Sequence, residues 1–261
     1  MVDELPASTR RGLNRVTWTM HLKPPHVPPA VQLSQAGTQG PRALPGTYTV
    51  RLEKNGKTYE TQITVGLDQR VKWTLADRQA QFDAAMKVHE LFNDESVLFE
   101  QIAELREQVA EATKERPAAD AVRAKLSAFD DKLDGLRKQI VATTEGGAIT
   151  GEERLREHTD QLYGAIINWD GPPASYQLEN TAALREQLGA ITAAFERLTA
   201  AELPALNEAL RGKGGHALAV PPPTAFDDED AAGAGGVSAG GRVDPDARTG
   251  IELPRNLRLW N

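Results

Sequence analysis

The sequence predicts an α+β protein in which a partial β-sandwich is followed by an antiparallel helical bundle of about four helices. Two local signals carry this: a β-hairpin pattern centred on Asn55 and Gly56, and apolar seams at helical spacing between about residues 74 and 212. Composition agrees, since aromatic residues make up only 5% while Ala, Leu, Glu, Gln and Arg recur, which favours helices with aliphatic seams. A chain of 261 residues that is 40% hydrophobic buries one good core or two modest ones. The expected division is a partial sandwich module at 12–72, a helical bundle at 73–212, a flexible Gly/Pro/acidic linker at 213–245 and a C-terminal docking segment at 246–261.

Residues 13–22 alternate, with Val16, Trp18 and Met20 on one side and Thr17, Thr19 and His21 on the other, as a half-buried strand requires. Residues 23–45 contain Pro24, Pro25, Pro28, Pro29, Pro41 and Pro45 and read as a loop. Next, Tyr48, Val50 and Leu52 face one way, Asn55-Gly56 supplies a two-residue turn with positive φ, and Tyr59, Thr61, Ile63 and Val65 return on the same face. Three strands do not close a sandwich, so the apolar face lacks a second layer.

In the helical part, Thr74 with Asp77, Pro117, and Thr150 with Glu153 read as helix starts. The first seam is Phe82, Met86, His89, Ser96, Phe99, Ile102, Leu105 and Val109; the second is Val122, Leu126, Phe129, Leu133, Leu136 and Ile140. A third holds Leu155, Leu162, Ile166 and Trp169, and a fourth Leu184, Leu188, Ile191, Phe195 and Leu198. Short connections imply that sequential helices are antiparallel neighbours, and Pro204 predicts an end or kink at Leu203. Beyond residue 212, Gly and Pro runs and the acidic stretch at 227–230 have little to bury, whereas Ile251, Leu253, Leu257, Leu259 and Trp260 are apolar enough to dock on the body.

Charge and composition exclude several function classes. A net charge of -7 and the lack of a basic stripe argue against nucleic acid. No apolar run spans a membrane, and the polar start with Pro6 carries no export signal. The absence of cysteine rules out disulfides and thiol chemistry. His21, His26, His89, His158 and His216 show no metal-binding spacing, and His89 reads as a hydrogen-bonded boundary residue. Glu100, Glu104 and Glu107, like Asp130, Asp131 and Asp134, fall between seam positions on solvated faces. No P-loop, dinucleotide or nucleophile-elbow motif occurs. No catalytic, cofactor-binding or metal-ligating residue is therefore assigned. The one candidate ligand site is Trp169 with Asp170, an aromatic platform beside a carboxylate in a turn, set against the plainer reading of a helix end packed on its neighbour.

The ordered set GLNRVTWTM, GPRALPGTYTVRLEKNGKTYETQITVGLDQRV, TLADRQAQFDAAMKVHELF and ELPALNEALRG, spanning about residues 12 to 212, resembles the C-terminal region of large bacterial BNR-repeat, sortilin-like or glycosyl-hydrolase-like β-propeller proteins. The resemblance implies an immunoglobulin- or fibronectin-like sandwich followed by helices, in a parent that is exported. It also implies that the propeller and the first sandwich strands are missing here, so the hydrolase label belongs to a part not present and no catalytic residue carries over. The expected function is a non-catalytic accessory module, a structural spacer or docking arm for a protein partner or the propeller. A carbohydrate-binding or glycoside-hydrolase accessory domain and a helix-mediated homo-oligomerisation module are the alternatives.

Overall fold

A computed structural model describes residues 3–8, 10–114, 116–117, 120–144, 151–212, 214–224 and 248–252. The expectations attached to Thr150, to the acidic stretch 227–230 and to residues 253–261 lie outside them. The described chain contains four strands, β1 (Asp3–Leu5), β2 (Gly46–Lys54), β3 (Lys57–Val65) and β4 (Arg248–Glu252), and four helices, α1 (Leu75–Lys114), α2 (Ala121–Ile140), α3 (Leu155–Ile167) and α4 (Ser175–Arg211).

The hairpin forms as its residues dictate. Asn55 and Gly56 adopt φ of 51° and 70°, the left-handed pair of a tight turn whose twist matches its strands. The register sets Tyr48 opposite Ile63, Val50 opposite Thr61 and Leu52 opposite Tyr59, which gathers the apolar side chains on one face. The Tyr48 hydroxyl donates to the Leu44 carbonyl at 2.6 Å, tying the start of β2 to the loop four residues upstream, as in a tyrosine corner. Trp18 packs against Tyr48 with ring centroids 5.1 Å apart, and Leu5, Leu22 and Val65 complete a small satellite core.

The predicted partial sandwich is not found. The described strands form one antiparallel sheet in the order β1-β4-β2-β3, with no second sheet facing it among the described residues. Residues 13–22 are not a strand either. Alternation supplies a face, but a strand also needs a partner for its backbone groups, and here only His21 bridges, to Arg42. Met20, at φ 60°, breaks the extended run.

α1 begins on a reciprocal cap, in which Thr74 N donates to Asp77 Oδ2 at 2.8 Å and Asp77 N donates to Thr74 Oγ1 at 3.2 Å. α2 starts four residues after Pro117, capped by Asp120 accepting from Val122 N at 2.9 Å. α3 starts two residues after Glu153, with Arg154 N donating to Glu157 Oε2 at 3.1 Å. α4 continues through Pro204 rather than ending at Leu203. Leu203, Leu206 and Leu210 around it are buried on the bundle, so packing offsets the lost hydrogen bond.

The four helices make three runs. Gln81 meets Ile166, Phe92 meets Tyr163 and Glu95 meets Thr159, so α3 lies antiparallel to the first half of α1. The short connection at 115–120 turns α2 back along the second half, where Arg106 pairs with Asp130 at 2.8 Å. α2 and α3 thus follow one another along α1 instead of packing side by side, and α4 returns beside both runs, with Arg185 on Asp94 and Lys132 on Glu202. All six predicted α2 seam residues are buried, whereas the first half of α1 buries Ala85, Val88, Leu91, Phe92, Glu95 and Leu98 in place of Met86 and His89.

The Pro-rich segment 23–45 is an ordered wrap across this bundle. Asp160 on α3 accepts from Gly37 N at 3.1 Å, Gln35 N at 3.3 Å and the Ser34 hydroxyl, holding the turn Ala36–Thr38. The Tyr163 hydroxyl donates to Gln39 O at 3.0 Å, and Asn93 Oδ1 accepts from His26 N at 2.9 Å. Leu133 is fully buried between helices, so Leu133→Ala is expected to cost about 2–5 kcal/mol by chemical denaturation. A midpoint equal to that of the parent chain would contradict the packing.

Candidate functional site

Three features of the described chain bear on function. The first is the apolar face of the sheet. Leu5, Val16, Trp18, Met20, Val50, Ile63 and Val65 line an open hollow of about 500 Å³, with no charged side chain among the described residues of its wall. Val16, Met20 and Ile63 remain 42%, 45% and 37% exposed, although their positions in the pattern are those of core residues. No described helix covers them, because the helices spend their apolar seams on one another. Among the described residues the sheet's own core is only Ala43 and Tyr48 with four half-buried neighbours.

The second feature contains Trp169 and Asp170. Trp169 follows α3 by two residues and is 50% exposed, so it does not serve the α3 seam. Its ring meets Trp73 edge-on at 5.7 Å, and Lys72 Nζ lies over Trp73, 5.6 Å from the centre of its ring. A Cβ on Gly171 would come within 2.8 Å of Trp169 Nε1 and 2.9 Å of Trp73, so glycine is what allows the two indoles to close. Asp170 is ion-paired to Arg42 from the Pro-rich wrap, an interaction between partly exposed groups that adds little to stability but occupies the carboxylate. Below them Arg78 is buried, donating through Nη1 to Gln81 Oε1 at 2.6 Å, while Gln81 donates to Ile166 O at 2.7 Å. Burial lowers the Arg78 pKa, and Arg42 lowers it further. Structurally the cluster joins the wrap, the start of α1 and the end of α3.

The third feature was not foreseen from the sequence. Glu95, on α1, is 0% exposed, with Ser96, Arg156, Glu157 and Thr159 buried nearby in sequence or contact. Arg156 Nη1 lies 3.1 Å from Glu157 Oε1, and Glu157 Oε2 accepts from Ala142 N at 3.1 Å. Thr159 Oγ1 stands 2.6 Å from Glu95 Oε1 and 3.0 Å from Leu155 O. The Thr159 hydroxyl is the donor in both contacts and shares its one proton between Glu95 Oε1 and Leu155 O. Burial first, then the Glu157 charge, push the Glu95 pKa up to about 8, against the opposing influence of the Thr159 hydrogen bond and the Arg156 charge. The signal was present in the spacing, since Glu95 continues the series Leu91, Leu98, Ile102 at intervals of four, three and four once the seam is anchored on Leu91. Full burial keeps this acid away from any substrate, so its role is in the bundle.

His89 Nε2 lies 3.2 Å from Lys23 O, at the seam between wrap and bundle. No group of three or more His, Asp or Glu among the described residues is placed to hold a metal ion. No helix there is long and apolar enough to cross a membrane. Comparison of the chain with known protein families, with curated proteins and with solved structures found no match.

The Glu95 pKa is raised above its ordinary 4.5. Its contribution to stability is therefore fully present below about pH 4.5, falls as pH rises because the unfolded chain ionises first, and levels off above about pH 8. Urea melts of the parent and Glu95→Gln between pH 5 and pH 8 should diverge, the parent losing up to about 1.4 kcal/mol per pH unit relative to the variant. Parallel stability curves would refute the protonated carboxyl.

Proposed function

We propose that this chain is a non-catalytic interaction module, in which the helical bundle is a structural spacer or docking arm and the sheet presents an apolar face to a protein partner. The observation that carries this reading is the uncharged hollow between Val16, Met20 and Ile63, left open on a chain whose helices are well packed. A contiguous apolar patch of this kind is characteristic of interaction surfaces. The hairpin behind it fixes the side chains in register, and the wrap, anchored by Asp160 and Tyr163, holds the sheet to the bundle. The likeness to the C-terminal region of exported BNR-repeat, sortilin-like propeller proteins supports the propeller of such a parent as the partner class. Of the polar groups that converge, Asp170 is engaged by Arg42, and one carboxyl oxygen of Glu95 by Thr159.

A second reading rests on the half-exposed Trp169 beside Trp73, an aromatic platform of the sort that stacks on sugars. It makes the chain a carbohydrate-binding or glycoside-hydrolase accessory domain, and a glycan array distinguishes it, since signal lost with Trp169→Ala would favour it.

For the leading reading, a photo-crosslinker placed at Val16 in the expressing cell should give a discrete protein adduct. Ile63→Glu should remove most of that adduct, while Glu104→Gln on the bundle leaves it unchanged. Equal adduct yield from all three chains would show that the face is not the contact. Glycosidase turnover by the purified chain, abolished in Asp170→Asn, would overturn the non-catalytic assignment.

A further inference from the structure

The segment that follows α4 returns along the bundle and is held there by its main chain. α4 closes with Gly215 N donating to Leu210 O at 3.0 Å and Gly214 N donating to Arg211 O at 3.0 Å. Gly214 sits at φ 74°, the left-handed conformation this helix ending needs. A Cβ on Gly215 would lie 2.5 Å from Arg116 Nη2, so a side chain there would displace the end of that arginine.

Beyond the turn, two side-chain amides on different helices grip consecutive residues. Asn207 of α4 takes both backbone groups of Leu218, accepting from its N–H at 2.7 Å and donating to its carbonyl at 2.8 Å. Gln108 of α1 does the same for Ala219, at 3.0 Å in each direction. Gln101 then donates to Pro221 O at 2.8 Å. This is how the neighbours of a central strand hold it, with amide side chains standing in for strands. Side-chain recognition is confined to two buried pegs three residues apart, Leu218 and Pro221, while His216, Ala217, Ala219 and Val220 are exposed. The segment lies over a hollow of about 400 Å³.

A groove that reads the backbone and two apolar pegs has no means of telling its own chain from another with the same sequence. We propose that the groove between α1 and α4 is an exchange site that takes residues 216–224 of a second copy of this chain in place of its own, so that two copies are joined reciprocally. The fit of this occupant is on display in the closed form, and a second copy brings the same Leu218, Ala219 and Pro221. No acidic residue lies between positions 216 and 224, so a second segment adds no negative charge beside Glu104, Glu107 and Glu111 at the rim. Over residues 216–224 the closed and exchanged forms make the same contacts, the condition under which swapping is cheap. Tethering gives the chain's own segment an effective concentration on the order of millimolar, so the wild type stays closed at micromolar concentration and exchange occurs when copies are crowded together or the tethered segment is disabled.

Two full-length variants test this. Gln108→Ala/Asn207→Ala disables the groove and keeps the segment; Leu218→Asp disables the segment and keeps the groove. In analytical ultracentrifugation at about 100 µM, well below the tethered concentration, each alone should sediment as a monomer and their equimolar mixture should give a species of twice the monomer mass. A mixture that stays monomeric overturns the proposal, as does a dimer formed by either variant alone, which would assemble through another surface such as the sheet face. Should Leu218→Asp fail to melt cooperatively, Ala219→Pro replaces it, because it deletes the N–H given to Gln108 and leaves the Leu218 peg in place. A labelled peptide of residues 216–224 provides the remaining arm. Peptide binding to the segment-disabled chain without dimerisation of the mixture would overturn the second copy as occupant, and binding undiminished by Asn207→Ala would overturn the amide clamp.

Discussion

The architecture depends on one continuous apolar stripe along α1. Over its 40 residues, a length of about 60 Å at 1.5 Å per residue, this helix buries Val88, Leu91, Phe92, Ile102, Leu105 and Val109 in turn against partners from the other three helices. No partner is long enough alone to cover it on the antiparallel side, so α2 takes the second half and α3 the first. Each fully buried Leu or Phe contributes on the order of 1.5–3 kcal/mol, which is why the bundle tolerates a proline in α4 and an ionisable group in its interior. The break between α2 and α3 is itself secured by charge: Glu152 accepts from Thr143 N at 2.8 Å and Thr144 N at 3.1 Å, and these bonds with Arg154 hold its carboxyl down at about 2.

The sheet stands in contrast to this. Its hairpin is locally well specified, but among the described residues its core is small and its apolar face is uncovered. Physical attachment to the bundle runs through the wrap, where polar side chains on α1 and α3 satisfy backbone groups of a segment too rich in proline to satisfy them within itself. The same device recurs at the other end of the molecule, where Gln101, Gln108 and Asn207 hold the segment after α4. Helical bundles leave amides and carboxylates at their rims, and this one uses them to fasten chain that has no secondary structure of its own.

Rigid packing thus lies in the helices, and the two strapped segments are fastened to them through polar side chains. Among the described residues Asp170 is paired with Arg42, and Glu95 is buried with one of its carboxyl oxygens hydrogen-bonded to Thr159.

Much of the local structure was legible from the sequence because short-range physics decides it. Asn55-Gly56 fixes a tight turn through positive φ, Thr74 and Asp77 cap a helix reciprocally, and the four-and-three spacing from Val122 to Ile140 marks a buried stripe whatever lies against it. Tertiary structure alone decided the rest. The alternation in residues 13–22 could not become a strand without a partner for its backbone, and the apolar face of the hairpin, which on its own implied a second layer, is left open because no described sheet faces it. In the first half of α1 the predicted seam holds at Phe82 and Ser96 but not at Met86 and His89, since a helix carries several half-apolar faces and only the position of α3 selects the one with Leu91 and Glu95. Asp170 was readable as a turn carboxylate, but its pairing with Arg42, 128 residues away in sequence, exists only because the wrap crosses the end of α3.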